Sequence, residues 1–167
     1  MEKLLMIDAK DYTGDMPVFE KNAVRALILK GGLVAMQISK YGDYKIPGGT
    51  VEAGESYAQA LVREVREETG LIVDPSTIAE IGEIEEIRQD QFFKGQKYIC
   101  HSLYYKCEVL PETVETDRTD NEIGKGYQLE WNTMRNIYDK NMRLQKEPWS
   151  IRDTKFLELI LNDIVRL

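Results

Sequence analysis

The sequence predicts an α/β protein, a sheet sandwiched between helices in an α/β/α arrangement. Three observations carry this. Two short apolar runs, Ala23–Leu29 and Leu33–Ser39, are joined by Gly31-Gly32 and read as neighbouring strands. Between Ser56 and Gly70 the apolar residues switch to a spacing of three and four, the period of a helix. A second helical pattern closes the chain after Pro148, with further strand-like runs between the two.

The elements follow in order. After the first two strands, Asp43–Ile46 extends as a short strand into Pro47-Gly48-Gly49. The first helix has Ser56 and Gln59 spaced as a capping box, and Gly70 suits the left-handed residue that ends it. Ala58, Leu61, Val62, Val65 and Thr69 form its apolar stripe, which leaves Glu64, Glu67 and Glu68 to share the other face. Ile78–Arg88 and Lys97–Val109 read as strands of a long hairpin with its turn at Gln91–Gly95. Pro111–Lys125 is polar and acidic and reads as a mobile loop. Gly126–Trp131 offers another strand and Asn132–Asn141 a helix. In the last helix Ser150 and Asp153 resemble a capping box, while Leu157, Ile160, Leu161 and Ile164 line one face. The pattern alone does not give the strand order.

The bounds on function are simple. At 167 residues the chain has the length of one domain, expected over 1–167, with a core of its own. No apolar run approaches the roughly 18–20 residues that span a bilayer. Met1–Asp8 is too short an apolar run for a signal peptide, so a cytoplasmic location is expected. Cys100 and Cys107 lie in one strand, about 23 Å apart, too far for a disulfide. His101 is the one histidine, which leaves no Cys/His cluster for zinc and favours a structural role for that ring. A net charge of −7 excludes a broad nucleic-acid surface but admits one nucleotide brought in through a cation.

The chemistry concentrates around the first helix. Like-charged pairs on adjacent turns cost only about 0.2–0.5 kcal/mol each, so Glu64, Glu67 and Glu68 could be a solvated face. Clustered carboxylates are also what Mg²⁺ or Mn²⁺ prefers. Gly48-Gly49 permits close backbone approach, and a carbonyl from this turn could complete an oxygen shell. The segment Gly49–Ser56 has the glycine spacing of a phosphate-cradling P-loop, but Glu55 replaces the lysine and would repel phosphate.

From Gly49 to Leu71 the chain reads GTVEAGESYAQALVREVREETGL. This is Gly, five residues, Glu, seven residues, Arg-Glu, an apolar residue, any residue, Glu-Glu, any residue, Gly and an apolar residue. The fixed types fall at Gly49, Glu55, Arg63, Glu64, Glu67, Glu68 and Gly70, and the apolar slots at Val65 and Leu71. The segment resembles the box of the Nudix hydrolases without a mismatch. The resemblance implies a mixed sheet between helices, with the box as loop–helix–loop. It implies Mg²⁺ (or Mn²⁺) held by Glu64, Glu67 and Glu68 with the carbonyl of Gly48 or Gly49, and an ion pair of Glu55 with Arg63 that supports the loop. Glu52 either binds metal or solvates the turn. The general base is Glu68 or a carboxylate of the later loop, where Glu112, Glu115 and Glu122 are the candidates.

The implied reaction is hydrolysis of a diphosphate bond in a nucleoside diphosphate derivative by metal-activated water. Two other classes stand beside it. A non-catalytic nucleotide-sensing module would be expected to lose metal ligands, and none is lost. An isoprenyl diphosphate isomerase would need Cys and His groups that this chain barely offers. Outside the box the resemblance loosens. Tyr44 stands where many relatives carry Trp, and Glu86–Arg88 lacks both the Pro associated with ADP-ribose hydrolases and the Tyr associated with dinucleoside polyphosphate hydrolases. Phe92, Phe93, Tyr98 and Tyr127 could stack on a base, with a core role favoured for most. The family admits a homodimer, for which no particular patch is visible in the sequence.

Overall fold

The computed structural model describes residues 1–144 and 147–167. Among them are strands β1 (Lys3–Asp8), β2 (Val18–Lys30), β3 (Leu33–Ile38), β4 (Tyr44–Lys45), β5 (Leu71–Val73), β6 (Ala79–Gln89), β7 (Lys97–Cys107), β8 (Val109–Thr113) and β9 (Gln128–Asn132). The helices are α1 (Tyr57–Thr69), α2 (Asp120–Lys125), α3 (Met134–Leu144) and α4 (Pro148–Leu161).

The main sheet runs β1-β6-β7-β2-β3-β4, with β9 also paired to β3. It is mixed: β1 runs parallel to β6 and β2 parallel to β7, while β6–β7, β2–β3, β3–β4 and β3–β9 are antiparallel. Because side chains alternate along a strand, β2 feeds two cores. Val24, Ala26 and Ile28 pack against Ala60, Leu61 and Val65 of α1. On the other face Leu27 joins Ile137 of α3 and Phe156 and Leu157 of α4. There the Tyr104 and Phe156 rings stack with centroids 3.8 Å apart. Each large apolar side chain so buried contributes about 1.5–3 kcal/mol. Helices therefore cover both faces, as the α/β/α reading requires.

Several elements differ from the expectation. β1 and β5 were not anticipated, since both are short and one opens the chain. Pro111–Lys125 is not one mobile loop. Its first residues form β8, which pairs with β5, and Thr119 with Glu122 makes a capping box that starts α2. α4 begins at Pro148 behind Glu147, without a side-chain cap, so Ser150 and Asp153 are interior residues and both are buried. Ile164 lies past the helix end and is exposed. In α1 the buried position is Ala60 rather than Ala58. Cys100 and Cys107 are free and buried, and their odd spacing sends them to opposite faces of β7. Among the described residues no helix is long and apolar enough to cross a membrane.

Candidate active site

The loop between β4 and α1 is laid along the backbone of β2. Ala26 N–H donates to the Pro47 carbonyl (2.8 Å), Val24 N–H to the Gly49 carbonyl (2.9 Å), and Val51 N–H to the Asn22 carbonyl (3.0 Å). Such close apposition needs glycine. Gly48 has φ +134°, and a Cβ on it would overlap the Val24 carbonyl. A Cβ on Gly49 would overlap the Glu64 carboxylate. The glycine pair thus seats the loop on β2 on one side and on an acidic side chain on the other.

α1 delivers the carboxylates. Its start is fixed by the expected capping box, in which Ser56 Oγ accepts from Gln59 N–H (3.2 Å) and Gln59 Oε1 accepts from Ser56 N–H (2.9 Å). Gly70 ends it at φ +73°. With that register Glu64 lies beneath Gly49, and Glu68, one turn on, accepts from the Gly48 N–H (2.7 Å) and from Lys45 Nζ. Glu68 is only 1% exposed, so the three glutamates do not form a solvent face. They span the seam between helix and loop.

Arg63 ties this seam together. Its Nε and Nη2 donate to the two oxygens of Glu55 (2.8 and 2.9 Å), a bidentate pair, and Nη2 also reaches the Thr50 carbonyl (3.1 Å). Its Nη1 donates to Glu64 (2.9 Å) and Glu67 (3.1 Å). The hydrogen bonds from Arg63 hold Glu55 below the usual carboxylate range.

The carboxylates differ in acidity. Burial pushes Glu68 up to about 7, the hydrogen bond with Glu122 adds to the rise, and Lys45 and the Gly48 N–H oppose it. Burial also raises Glu64, against the pull of Arg63, Lys45 and Arg25. Burial raises Glu122 as well, yet the hydrogen bond with Glu68, the Thr119 cap and Lys45 outweigh it and leave Glu122 lowered. Lys45 Nζ lies 3.7 Å from Glu122. Glu68 and Glu122 therefore face the same lysine, which donates to the first and lies near the second.

Comparison with known proteins now adds to this geometry. The NUDIX domain profile matches residues 20–153. The chain belongs to the Nudix family. A Nudix hydrolase from Nitrosomonas europaea superposes with a TM-score of 0.61 at 19% identity, covering 89% of this chain and 97% of the other. A MutT protein from Bacillus halodurans gives 0.54 at 19% identity over 84% and 82%. An ADP-ribose pyrophosphatase of Methanocaldococcus jannaschii is 58% identical over 31 residues, which is 19% of this chain and 18% of that enzyme. The family match sets the domain, and the likenesses to solved structures show that the fold is shared.

The Nudix box residues can now be sorted by position. Glu64 and Glu67 meet at one nitrogen of Arg63, while Glu68 turns to Lys45 and the loop. The triad is not drawn to a single point. Among the described residues, the group of three acidic and histidine side chains whose ligand atoms all lie within 4.8 Å of one another is Glu83, Glu85 and His101, elsewhere on the sheet. There Lys3 pairs with Glu85, and the two ring nitrogens of His101 face Glu83 (2.7 Å) and Glu20 (2.8 Å). Of the later carboxylates, Glu122 reaches the box, Glu115 lines a groove of about 560 Å³ on the outer face of α1 with Arg66 and Asp117, and Glu112 is exposed on β8. Glu52 is exposed, and its N–H donates to Glu55 (3.1 Å).

The donors of the box fit a hard divalent cation. Carboxylate and carbonyl oxygens are its preferred ligands, and the Gly49 backbone is pressed onto Glu64 at a spot that any Cβ would fill. The two glycine carbonyls are not equivalent. That of Gly49 is used by the Val24 backbone, whereas that of Gly48 accepts from the Arg25 side chain. Lys45 and Arg25 went unnoticed in the sequence, because a lysine at a strand end and an arginine in an apolar strand give no periodic signal. Phe92 and Phe93 are not core residues: they are 78% and 68% exposed at the β6–β7 turn. Tyr98 sits under the Arg88 guanidinium, 4.1 Å from its ring centre, and Tyr127 is buried beside Lys45.

Proposed function

We propose that this protein hydrolyses a diphosphate bond in a nucleoside diphosphate derivative, with Mg²⁺ (or Mn²⁺) held by Glu64, Glu67, Glu68 and the Gly48 carbonyl. One observation carries the reading. Glu64 and Glu68 meet the same glycine loop from below, one under Gly49 and one on the Gly48 N–H, so hard oxygen donors from helix and loop face a common edge. When bound, the cation neutralises the diphosphate and acidifies a water. Glu68, raised by burial and set beside Lys45 and Glu122, would take a proton from the attacking water. Arg63 keeps Glu64 and Glu67 oriented, and its pair with Glu55 braces the loop. Positioning and charge placement do most of the work.

The short match to an ADP-ribose pyrophosphatase supports a nucleotide bearing a sugar as the first substrate to try. The same reading takes residues 1–167 as one domain and, with two free buried cysteines, a reducing cytoplasmic home. The test is turnover with Mg²⁺ over nucleoside triphosphates, oxidised nucleotides, nucleotide sugars, ADP-ribose and dinucleoside polyphosphates. Metal-dependent release of nucleoside monophosphate or phosphate that Glu68→Gln abolishes supports the reading. If wild type and Glu68→Gln bind these compounds alike and neither turns them over, the protein is a sensor and the proposal fails.

A further inference from the structure

β4 is two residues long and pairs with β3 on one side only, Tyr44 with Ile38 and Lys45 with Gln37. The N–H groups of Tyr44 and Ile46 point to its other edge, where a third strand would normally meet them. Side chains from the C-terminal helices meet them instead. Asn141 of α3 takes both polar groups of Tyr44, accepting from its N–H (2.7 Å) and donating to its carbonyl (3.0 Å). Asp153 of α4 accepts from the Ile46 N–H (2.8 Å). Asn141 and Asp153 are both fully buried.

Asp153 is itself held. Its second oxygen accepts from the Tyr104 hydroxyl (3.0 Å) and from Arg152 Nε (2.9 Å), and Arg152 Nη1 is fixed by Glu86 on β6 (3.0 Å). A buried charge network of this kind is costly and weak as a source of stability. What it does here is fix three consecutive residues. The middle one, Lys45, carries its ammonium to Glu68, and two residues beyond Ile46 the Gly48 N–H binds the same carboxylate.

We propose that Asp153 and Asn141 are positioning residues of the active site, fixing from the far side of the sheet the backbone that presents Lys45 and Gly48 to Glu68. The inference rests on the metal-binding reading of the box given above. Neither residue touches the reacting groups, and both act through the chain between Tyr44 and Gly48. An Asn at 153 keeps the shape but turns one acceptor into a donor, so either the Ile46 N–H or the Tyr104–Arg152 side loses its partner. The loop then loses its anchor two residues before the Gly48 carbonyl.

The experiment measures Mn²⁺ binding to the full chain without substrate, from the signal of free Mn²⁺ in electron paramagnetic resonance, together with kcat and KM. Asp153→Asn weakens Mn²⁺ binding about 10-fold or more, the scale usual for outer partners of metal ligands. It lowers kcat more than it changes KM. The control is Leu157→Ala, one turn along α4 in the apolar core, which lowers the melting temperature but leaves Mn²⁺ affinity within about two-fold. Asn141→Asp, which keeps the acceptor for Tyr44 N–H and loses the donor to its carbonyl, gives the same readout if Asp153→Asn does not fold. Unchanged Mn²⁺ binding in the variant that folds, or equal loss in Leu157→Ala, overturns the proposal. A wild-type protein that binds no Mn²⁺ sinks the reading of the site itself, and this inference with it.

Discussion

Replacing Glu68 by Gln should make the metal-free protein more stable in alkaline solution while it destroys the proposed activity. The carboxyl is 1% exposed, and its burial moves it from an ordinary 4.5 to about 7. That displacement corresponds to roughly 3 kcal/mol between the protonated and ionised forms. The sign follows from the direction. A carboxyl raised by folding favours the folded state while protonated, so its contribution is complete below the unfolded value and is lost as pH rises through about 7. Above that, wild type carries an ionised, buried Glu68, and Gln does not. Gln retains an oxygen for the Gly48 N–H, and Lys45 keeps Glu122 at 3.7 Å, so the gain is somewhat below the full figure. Urea unfolding with a chelator present should show Glu68→Gln ahead by about 2–3 kcal/mol at about pH 8.5, narrowing to within about 1 kcal/mol at about pH 5. Adding Mg²⁺ at the higher pH should stabilise wild type and leave the variant unmoved. A variant that is less stable than wild type at high pH, or a gap that does not narrow on acidification, would refute the reasoning.

Other outcomes follow from the same geometry. Gly49→Ala should keep the fold and lose about 100-fold or more in kcat, because the nearest atoms to its Cβ are the carboxylate of Glu64, a side-chain end that is displaced before the backbone is. Gly48→Ala should instead cost several kcal/mol, about 3 or more by chemical denaturation, since its Cβ meets the Val24 backbone at a φ of +134°. Arg63→Lys should keep the charge and lose the fork to Glu55, lowering kcat/KM about 10-fold with a modest fall in melting temperature, both read on one preparation. Mn²⁺ affinity should rise with pH through about 7, because the proton on Glu68 competes with the ion; calorimetry showing a flat profile between about pH 6 and 8 would contradict this.

How much of this was legible in the sequence depends on the range of the interactions. α1 was read nearly whole, because its cap, its stripe and its glycine stop are local signals, and the box pattern fixed Glu55, Arg63 and the glutamate triplet by number. The Glu55–Arg63 pair is present as expected. The burial of Glu68 was not legible: Lys45, Gly48 and Glu122 reach it from β4, the loop and α2, and the pairing of those elements is tertiary. Pro111–Lys125 misled because its acidic composition hides two local devices, the pairing of β8 with β5 and the Thr119 cap. Asp153 misled in the opposite way. Its spacing from Ser150 imitates a helix cap, but its oxygens serve Ile46, Tyr104 and Arg152.

Three carboxylates on adjacent turns raise the question of how the fold tolerates them. Each has a cation or a backbone donor already in reach: Arg63 for Glu64 and Glu67, Lys45 and the Gly48 N–H for Glu68. These partners come from within the helix, from β4 and from the loop that the helix must meet. The same contacts that offset the repulsion therefore also dock α1 against β4 and β2. Arg63 ties four groups of the box, so it sets the spacing of Glu64 and Glu67 while bracing Glu55 and Thr50. Lys45 is different, since it faces Glu68 and Glu122 together and its place is set by Asn141 and Asp153. Under the proposed function a divalent ion would meet oxygens whose places are already set, Glu68 by Lys45 and the Gly48 N–H, and Glu64 and Glu67 by Arg63.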